Sequence, residues 1–519
     1  MTPPRFVVSR FVCPAWPALA QLALVVVALG VVGCDAKLSP LEAPLPADRT
    51  VNAASWIVLT NADLQHLPAA VRLSAGKAAE ASLAPVSLGD AKVAATTIAL
   101  AIGEGAATIT KDQDIALVFP VTTPVVPLAL VQTGRAACAL AWQAKSATLT
   151  LTLRFGRSTS GAVDVVLANE PTLAVGDDAL VDASGCLSGT GDALTLSQQI
   201  VAAAASALTT DYVKAARATL QTVIPPSLEF AASFATVLQG APITGGVQTR
   251  YRPVADGPNP SSLLHHNGSF AAIGIDVSFD VSRHPCAMDG QPPQIGVQSL
   301  PVKAPEVAAS GQVLRRAVVL DRAILGHLAW AAARSGHLCR GLSRGIEKLL
   351  PANWANNAVP ALGALVEAGA VGATFWPGTT PSVRVIDLDG GGGVEWQLPE
   401  AVLEMSAPVA GVELVVLRVE GTFRLVLKPQ TASGIGFSVV AATVDAAVLS
   451  SPVLPKADVA AGPGLSLAVD AALKGIFAGA LGFSGGTPKD GAVVVGTSRV
   501  ADQLWLWLEG GALPTLPSQ

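Results

Sequence analysis

The sequence predicts an α+β protein in which antiparallel sheets pack on long helices. Three observations predict it. Residues 148–155 alternate strictly, with Leu149, Leu151, Leu153 and Phe155 on one side and Thr148, Thr150, Thr152 and Arg154 on the other. A period of two means one buried and one wet face. Residues 195–223 carry Leu196, Ile200, Ala204, Leu208, Tyr212, Ala216 and Leu220 at steps of four, an amphipathic helix whose apolar row drifts around its axis. The second half reverses this order, a helix at about 321–334 preceding a long run of strands. A sheet wrapped around a helix too apolar to lie in water is the economical arrangement.

In chain order, a Pro-containing tether occupies about 36–50, and short strands follow at 96–102, 115–119 and 162–167. Pro225 and Pro226 end the long helix, because proline lacks a donor and restricts the residue before it. Residues 246–251 are extended, 252–263 form a loop rich in Pro, Gly, Asn and Ser, and 273–281 alternate through Ile273, Ile275, Val277, Phe279 and Val281. Residues 287–311, rich in Pro, Gly and Gln, read as a linker. Asp321 is the candidate cap of the next helix and Gly336 its stop. Strands are expected at 381–388, 394–398, 411–418, 421–428 and 436–449, a second helix at about 465–481, and closing strands at 492–496 and 503–508.

The chain has 519 residues, which at ~100–200 residues per domain implies two or more domains. Hydrophobic residues make up 51%, charged residues 14%, and the mean hydropathy is +0.50. Yet the longest uncharged apolar run, 22–33, falls short of the ~20 residues a spanning helix needs. A multi-pass helical membrane protein is excluded, and so is a disordered chain, which would be charged and poor in apolar residues. A net charge of −5 argues against a nucleic-acid partner gripped through a basic surface.

Residues 1–33 read as a bacterial lipoprotein signal: Arg5 and Arg10 form its positive region, 18–30 its apolar region, and Val31, Val32 and Gly33 precede Cys34 as in a lipobox. Cys34 is therefore the expected lipid anchor, carrying acyl chains that bind membrane at about 0.8 kcal/mol per buried CH₂. The alternative is an ordinary signal peptide with an incidental cysteine. Cleavage removes Arg5 and Arg10 and no acid, taking the net charge from −5 to −7. The expected home is the bacterial cell envelope, lipid-anchored. Asp35 resembles an inner-membrane retention signal, but that rule varies among bacteria, so inner and outer membrane both stay open.

Four cysteines remain after the anchor. Sequence order favours disulfides Cys138–Cys186 and Cys286–Cys339, although three connectivities are possible and four buried thiols are the alternative. No metal site is expected: no CxxC occurs, and the histidines are scattered apart from His265 and His266. No cofactor is called for.

Several motifs carry less than they suggest. Gly341, Ser343 and Gly345, and again Gly482, Ser484 and Gly486, match Gly-X-Ser-X-Gly. An esterase needs that serine on a strand-to-helix elbow with a histidine further along the chain, and the last histidine, His337, precedes both. Asp387 and Asp389 hint at a calcium loop, but Gly391 and Leu398 stand where further ligands belong, so a solvated turn is expected. Arg315, Arg316, Arg322, Arg334, Arg340, Arg344 and Lys348 concentrate positive charge over 315–348. Contact with anionic headgroups is one reading and a solvated helix face the blander one.

The order of these segments resembles the bactericidal/permeability-increasing and lipopolysaccharide-binding protein family, within the tubular lipid-binding superfamily. "ATLTLTLRFGRSTSGAVDVVL" (147–167) is like the family's alternating strand, turn and returning strand. The helix at 195–223 with "PPSLEFAASFATVLQGAPITGGVQTRY" resembles its long helix and passage into a central sheet. "RRAVVLDRAILGHLAWAAARSGHL" (315–338) resembles the helix opening its second barrel, and "PSVRVID", "VEWQL", "AVLEMSAP" and "ELVVLRVEGTFRLVL" follow the order of its last strands. In one departure, the family's first-barrel disulfide reaches the long helix, whereas 195–223 has no cysteine.

The resemblance implies two tandem elongated barrels, each a twisted antiparallel sheet around a long helix, joined by a central sheet. It implies boundaries at 1–33 (signal), 34–50 (tether), 51–286 (first barrel and central strands), 287–312 (linker) and 313–519 (second barrel). It also implies apolar grooves for the acyl chains of a phospholipid or similar lipid, with Leu149, Leu151, Leu153, Phe155, Leu196, Ile200, Ala204 and Leu208 as lining. Read from the residues alone, the same row is a packed core. The function expected is non-enzymatic lipid binding or transfer at a membrane. The rival is a structural or adhesion lipoprotein of β-sandwich domains with a protein partner, in which a long apolar helix has no place.

Overall fold

The computed structural model describes residues 50–132, 138–157, 163–176, 179–182, 187, 190–223, 236–238, 241–243, 245–252, 262–287, 290–293, 316–429, 436–477, 481–482 and 493–509. The expected signal, Cys34, Cys186, Arg315, Ser484 and nearly all of the tether and linker lie outside these residues. The fold is mixed α+β, mostly strand, with five α-helices among the described residues.

One seven-stranded antiparallel sheet draws on the start, middle and end of the chain. Its order is Gly245–Arg252, Phe270–Val281, Thr50–Thr60, Arg316–Asp321, Gln503–Glu509, Val493–Val500, with Leu264–His266 added to Phe270–Val281. Both faces of its central strands are buried. Ile57, Leu59, Ile273, Val318, Leu320, Leu504 and Leu506 join the main core, while Trp56, Val58, Phe270, Ala272, Ala317, Val319, Trp505 and Trp507 form a second cluster on the opposite face. Near-continuous apolar runs such as Trp56–Leu59 are the consequence, since neither face meets water. Trp56 lies opposite Gly274, where a Cβ would stand 2.9 Å from the indole ring, so glycine makes room for the tryptophan.

Two larger sheets, a two-stranded pair (Thr236–Leu238 with Ala241–Ile243) and two helices make up the rest of the described first half. The order Val163–Leu167, Ala147–Arg157, Ile115–Thr122, Thr96–Ile102, Ala78–Leu83 forms one sheet, and Leu180–Asp182, Cys138–Trp142, Val126–Gln132, Ala91–Val93, Val86–Leu88 the other. The strands expected at 96–102, 115–119, 148–155 and 162–167 are all present, with ends that differ by a residue or a few. Helix α1 (Asn61–Ala75) starts at Thr60, whose hydroxyl accepts from the Asp63 N–H, and ends at Gly76 with φ +109°. Helix α2 (Thr190–Val223) packs on α1 and on Ala78–Leu83, starting five residues before the expected 195.

The second half is a long curled sheet. Helix α3 (Arg322–Arg334) is capped as expected by Asp321, whose Oδ1 accepts from Ala323 N at 2.9 Å, and Gly336 turns the chain beyond it at φ +78°. The sheet order is Arg340–Leu342, Gly372–Trp376, Gly391–Val409, Val412–Pro429, Gly436–Ser450, Leu481–Gly482, with Ser382–Leu388 added to Gly391–Val409, and the short helix α4 (Trp354–Ala358) falls between the first two strands in the chain. Two expectations are corrected here. The separate strands at 411–418 and 421–428 are one strand, and 394–398 is only part of a 19-residue strand.

Their continuity depends on bulges set level with one another. Register shifts fall between Leu398 and Ala401 and between Glu420 and Thr422, and Ala401 pairs with Gly421. Glu400 and Ala446 take φ values of +55° and +50° at the same level. A bulge bends its strand, so bulges aligned across three strands curl the sheet without ending it. Gly421 is needed there, because a Cβ would meet the Asp445 carbonyl oxygen at 2.8 Å.

Helix α5 (Leu465–Ile476) lies in the curl, against Gly436–Ser450 and Gly372–Trp376. It stops short of the expected 481. Phe477 leaves the helix and packs edge-on against Phe375, and Leu481 then pairs with Phe437. No helix among the described residues is long and apolar enough to cross a membrane.

Candidate functional site

The site is the apolar interior beneath α2. The eight residues named as groove lining, Leu149, Leu151, Leu153, Phe155, Leu196, Ile200, Ala204 and Leu208, all belong to one core cluster and none is more than 1% exposed. The strand residues are positioned by their ladders. Leu149 sits opposite Phe119, Leu151 opposite Leu117 and Leu153 opposite Ile115, while Phe155 faces Val165 on the other edge. Thr148, Thr150 and Thr152 take the alternate face.

The helix row continues through Tyr212, Ala216 and Leu220, all buried. A row at steps of four turns by about 40° per step around a helix of 3.6 residues per turn, so only a sheet that twists beneath it keeps it covered. Ala215 and Thr219 add a second buried row near the end, widening the stripe. The opposite face of α2, with Gln198, Ala202, Ser206, Thr210, Lys214 and Arg217, is exposed. This corrects the expected geometry in one respect. The sheet does not envelop the helix; α2 closes the open side of a curled sheet and keeps a wet back.

Tyr212 brings a polar group into this row. Its ring meets Phe119 edge-on at 5.0 Å and its hydroxyl donates to the Gly76 carbonyl at 2.7 Å, tying α2 to the end of α1. Burial pushes the Tyr212 phenol up to about 12, so the group stays a neutral donor. Sequence reasoning misses both Tyr212 and Phe119 as site residues, although Tyr212 stands in the step-of-four row itself. At the far end of the lining strand, Phe155 O accepts from Leu263 N at 2.8 Å, which fastens the site to the two-faced sheet.

The second half has a smaller counterpart. Leu465, Ala468, Val469, Ala472, Leu473 and Ile476 of α5 are buried in the same core as Phe375 and Phe423, whose rings meet edge-on at 5.4 Å. Asp470 Oδ1 accepts from Ala442 N at 2.7 Å and Lys474 pairs with its Oδ2 at 2.8 Å.

The remaining candidates are placed as follows. Cys286 and Cys339 form the expected disulfide, which ties the segment after Phe270–Val281 to the chain leaving α3. Cys138 begins a strand, but its pairing with Cys186 lies outside the described residues. Asp389 and Gly390 form a two-residue hairpin turn, since Leu388 pairs with Gly391, and Asp387 accepts from Arg499 at 3.0 Å. Ser343 lies in an exposed bend between the strand Arg340–Leu342 and a 3₁₀ turn, Ile346–Lys348.

The positive residues of 316–348 do not share a face. Arg316 is buried, Arg322 reaches Asp502 at 3.8 Å, and Arg334 stacks over Trp330 while donating to Val281 O. Burial pulls the Arg340 guanidinium down, and it donates to His337 O at 3.0 Å. Arg344 and Lys348 are exposed, beside Glu347, whose carboxylate is held below its usual range by the N–H groups of Val371 and Gly345.

No family model and no curated protein matches the chain. Among solved structures, a lipopolysaccharide binding protein is similar over 89% of this chain and 99% of its own, at 12% identity and a TM-score of 0.37. P47 from Clostridium botulinum A2 covers the same shares at 11% identity and a TM-score of 0.24. P47 of Clostridium botulinum E1 does so at 9% and 0.23. The likeness is long and shallow, and it assigns no residue of this chain a role.

Proposed function

We propose that this chain is a non-enzymatic lipid-binding or lipid-transfer protein that holds acyl chains of a phospholipid or similar lipid beneath α2. In this reading each half is an elongated barrel, 51–286 and 313–519, joined by the two-faced sheet. The body is tethered in the bacterial cell envelope through acylated Cys34. The observation that supports it is the uncharged row under α2, which follows a helix about 50 Å long at 1.5 Å per residue. Acyl chains entering such an interior gain about 25 cal/mol per Å² of apolar area, and no chemical step is involved.

α2 is the wall that yields. The strands are locked by backbone ladders, whereas α2 is held by side-chain packing and side-chain hydrogen bonds, among them Tyr212 to Gly76 O and Gln221 to Asp164. The same helix disfavours the β-sandwich reading, which has no place for it.

The test is uptake of a self-quenched fluorescent phospholipid from vesicles. Saturable dequenching is expected. Leu208→Asp, which puts a charge in the interior, should abolish it, and Arg217→Ala on the wet back should not. Absence of uptake by the unaltered chain overturns the reading.

A further inference from the structure

His284, Cys286 and Cys339 meet at the C-terminal end of α3. The chain leaving Phe270–Val281 is pinned to that end: His284 N donates to Arg334 O at 2.8 Å, Arg334 Nε donates to Val281 O at 3.3 Å, and Ala287 N closes a turn on His284 O at 2.9 Å. On the other side Gly336 reverses the backbone, and Cys339 N donates to Gly336 O at 2.9 Å. A Cβ on Gly336 would stand 2.5 Å from His284 Cγ, so the imidazole is fixed by close backbone approach. His284 Nδ1 accepts from Cys286 N at 3.1 Å, which places a lone pair rather than a proton on that nitrogen. It lies 2.6 Å from Cys286 Sγ, and one ring nitrogen and the two sulfurs are all within 4.8 Å of one another.

We propose that His284, Cys286 and Cys339 form a three-ligand zinc(II) site whenever their disulfide is reduced. Two thiolates and an imidazole are the donor set zinc takes, and ligands carried on two braced turns need little rearrangement. The Cα atoms are 6.4 Å apart, and with Zn–S bonds of about 2.3 Å the sulfurs need to separate only to about 3.8 Å. His284 and Cys339 are buried and Cys286 is half-exposed, so the fourth position opens to solvent on the Cys286 side. A dithiol reductant supplies two electrons and two protons to the disulfide and is itself oxidised to a disulfide. Zinc then displaces both thiol protons to solvent and takes the Nδ1 lone pair of the neutral imidazole, releasing the Cys286 N–H that it accepted. This inference does not depend on lipid binding.

The test uses the full chain, alongside a variant in which Cys13, Cys34, Cys138 and Cys186 are serine. Each is reduced with dithiothreitol, freed of it without oxygen, and dialysed against zinc(II) or cobalt(II). One zinc per chain is expected in the reduced variant and none in the oxidised one, with cobalt(II) showing intense thiolate-to-metal absorption. His284→Gln should weaken binding by about tenfold or more, and Cys339→Ser should remove the absorption. Equal zinc uptake by the oxidised and reduced forms overturns the proposal, as does cobalt binding without thiolate absorption. The cobalt spectrum of the unsubstituted site decides the matter even if His284→Gln fails to fold.

Discussion

Arg154 grips Asp114 with two parallel hydrogen bonds, Nε to Oδ1 and Nη2 to Oδ2, each 2.8 Å long. Strict alternation puts Arg154 on the outer face of its strand, and there it reaches over to the turn between Ala106–Ile109 and Ile115–Thr122. Asp114 is buried, and its hydrogen bond outweighs burial in raising the guanidinium above its ordinary value. Asp114→Ala leaves a partly buried cation unpaired and should cost about 2–3 kcal/mol. Urea denaturation measures it. Because the pair faces away from the row under α2, lipid uptake should survive.

His327 predicts a pH dependence. It is buried between Phe279 and Trp330, and burial holds its imidazole at about 4, only partly opposed by Ala323 O. The unfolded chain, with its histidine near ~6.5, binds the proton more tightly. Stability from this group is therefore complete above about pH 6.5 and is lost as pH falls towards about 4, by roughly 2–3 kcal/mol. Denaturation midpoints of His327→Leu should fall less steeply over that window than those of the unaltered chain.

Gly336 predicts a backbone effect. At φ +78° with His284 in the way of any Cβ, Gly336→Ala adds strain and a clash at one place. A loss of about 2 kcal/mol or more is expected in thermal or urea unfolding. Nearby, Cys286→Ser opens a loop closed across 53 residues and should cost about 4 kcal/mol in the chain-entropy picture.

Much of this architecture is legible where one period runs uninterrupted. Leu149 to Phe155, Leu196 to Leu220, and Asp321 with Gly336 each carry a signal that fits in a single window. The first strand and α1 are not legible in that way. Thr50–Thr60 breaks its own alternation with a bulge at Ala53, φ +49°, whose N–H is taken by Asp276 far along the chain, and α1 carries Pro68 in its interior. The joining of 411–418 to 421–428 is equally hidden, because Gly421 reads as a break and becomes a bend only when its neighbours bulge at the same level. The wet back of α2 is legible in part: the step-of-four row makes the helix amphipathic and leaves Lys214 and Arg217 off it, but which sheet covers the row is not readable from the helix alone.

The anchor yields its own prediction. If Cys34 is processed as proposed, the mature N-terminus is acylated and the body, at net −7, is repelled by anionic lipid within a Debye length of about 8 Å. Cys34→Ser should move the protein from the membrane fraction to a soluble or unprocessed pool. If it is still cleaved and resists a high-salt wash, something other than acylation holds it.

Native mass spectrometry of the Cys34→Ser protein purified from cells is the most direct test of a lipid carried beneath α2. The account predicts a bound mass equal to one or two acylated lipids, released by organic solvent and diminished in Leu208→Asp. A bare polypeptide mass, together with no uptake of phospholipid supplied afterwards, would contradict it and leave the row from Leu196 to Leu220 as packed core.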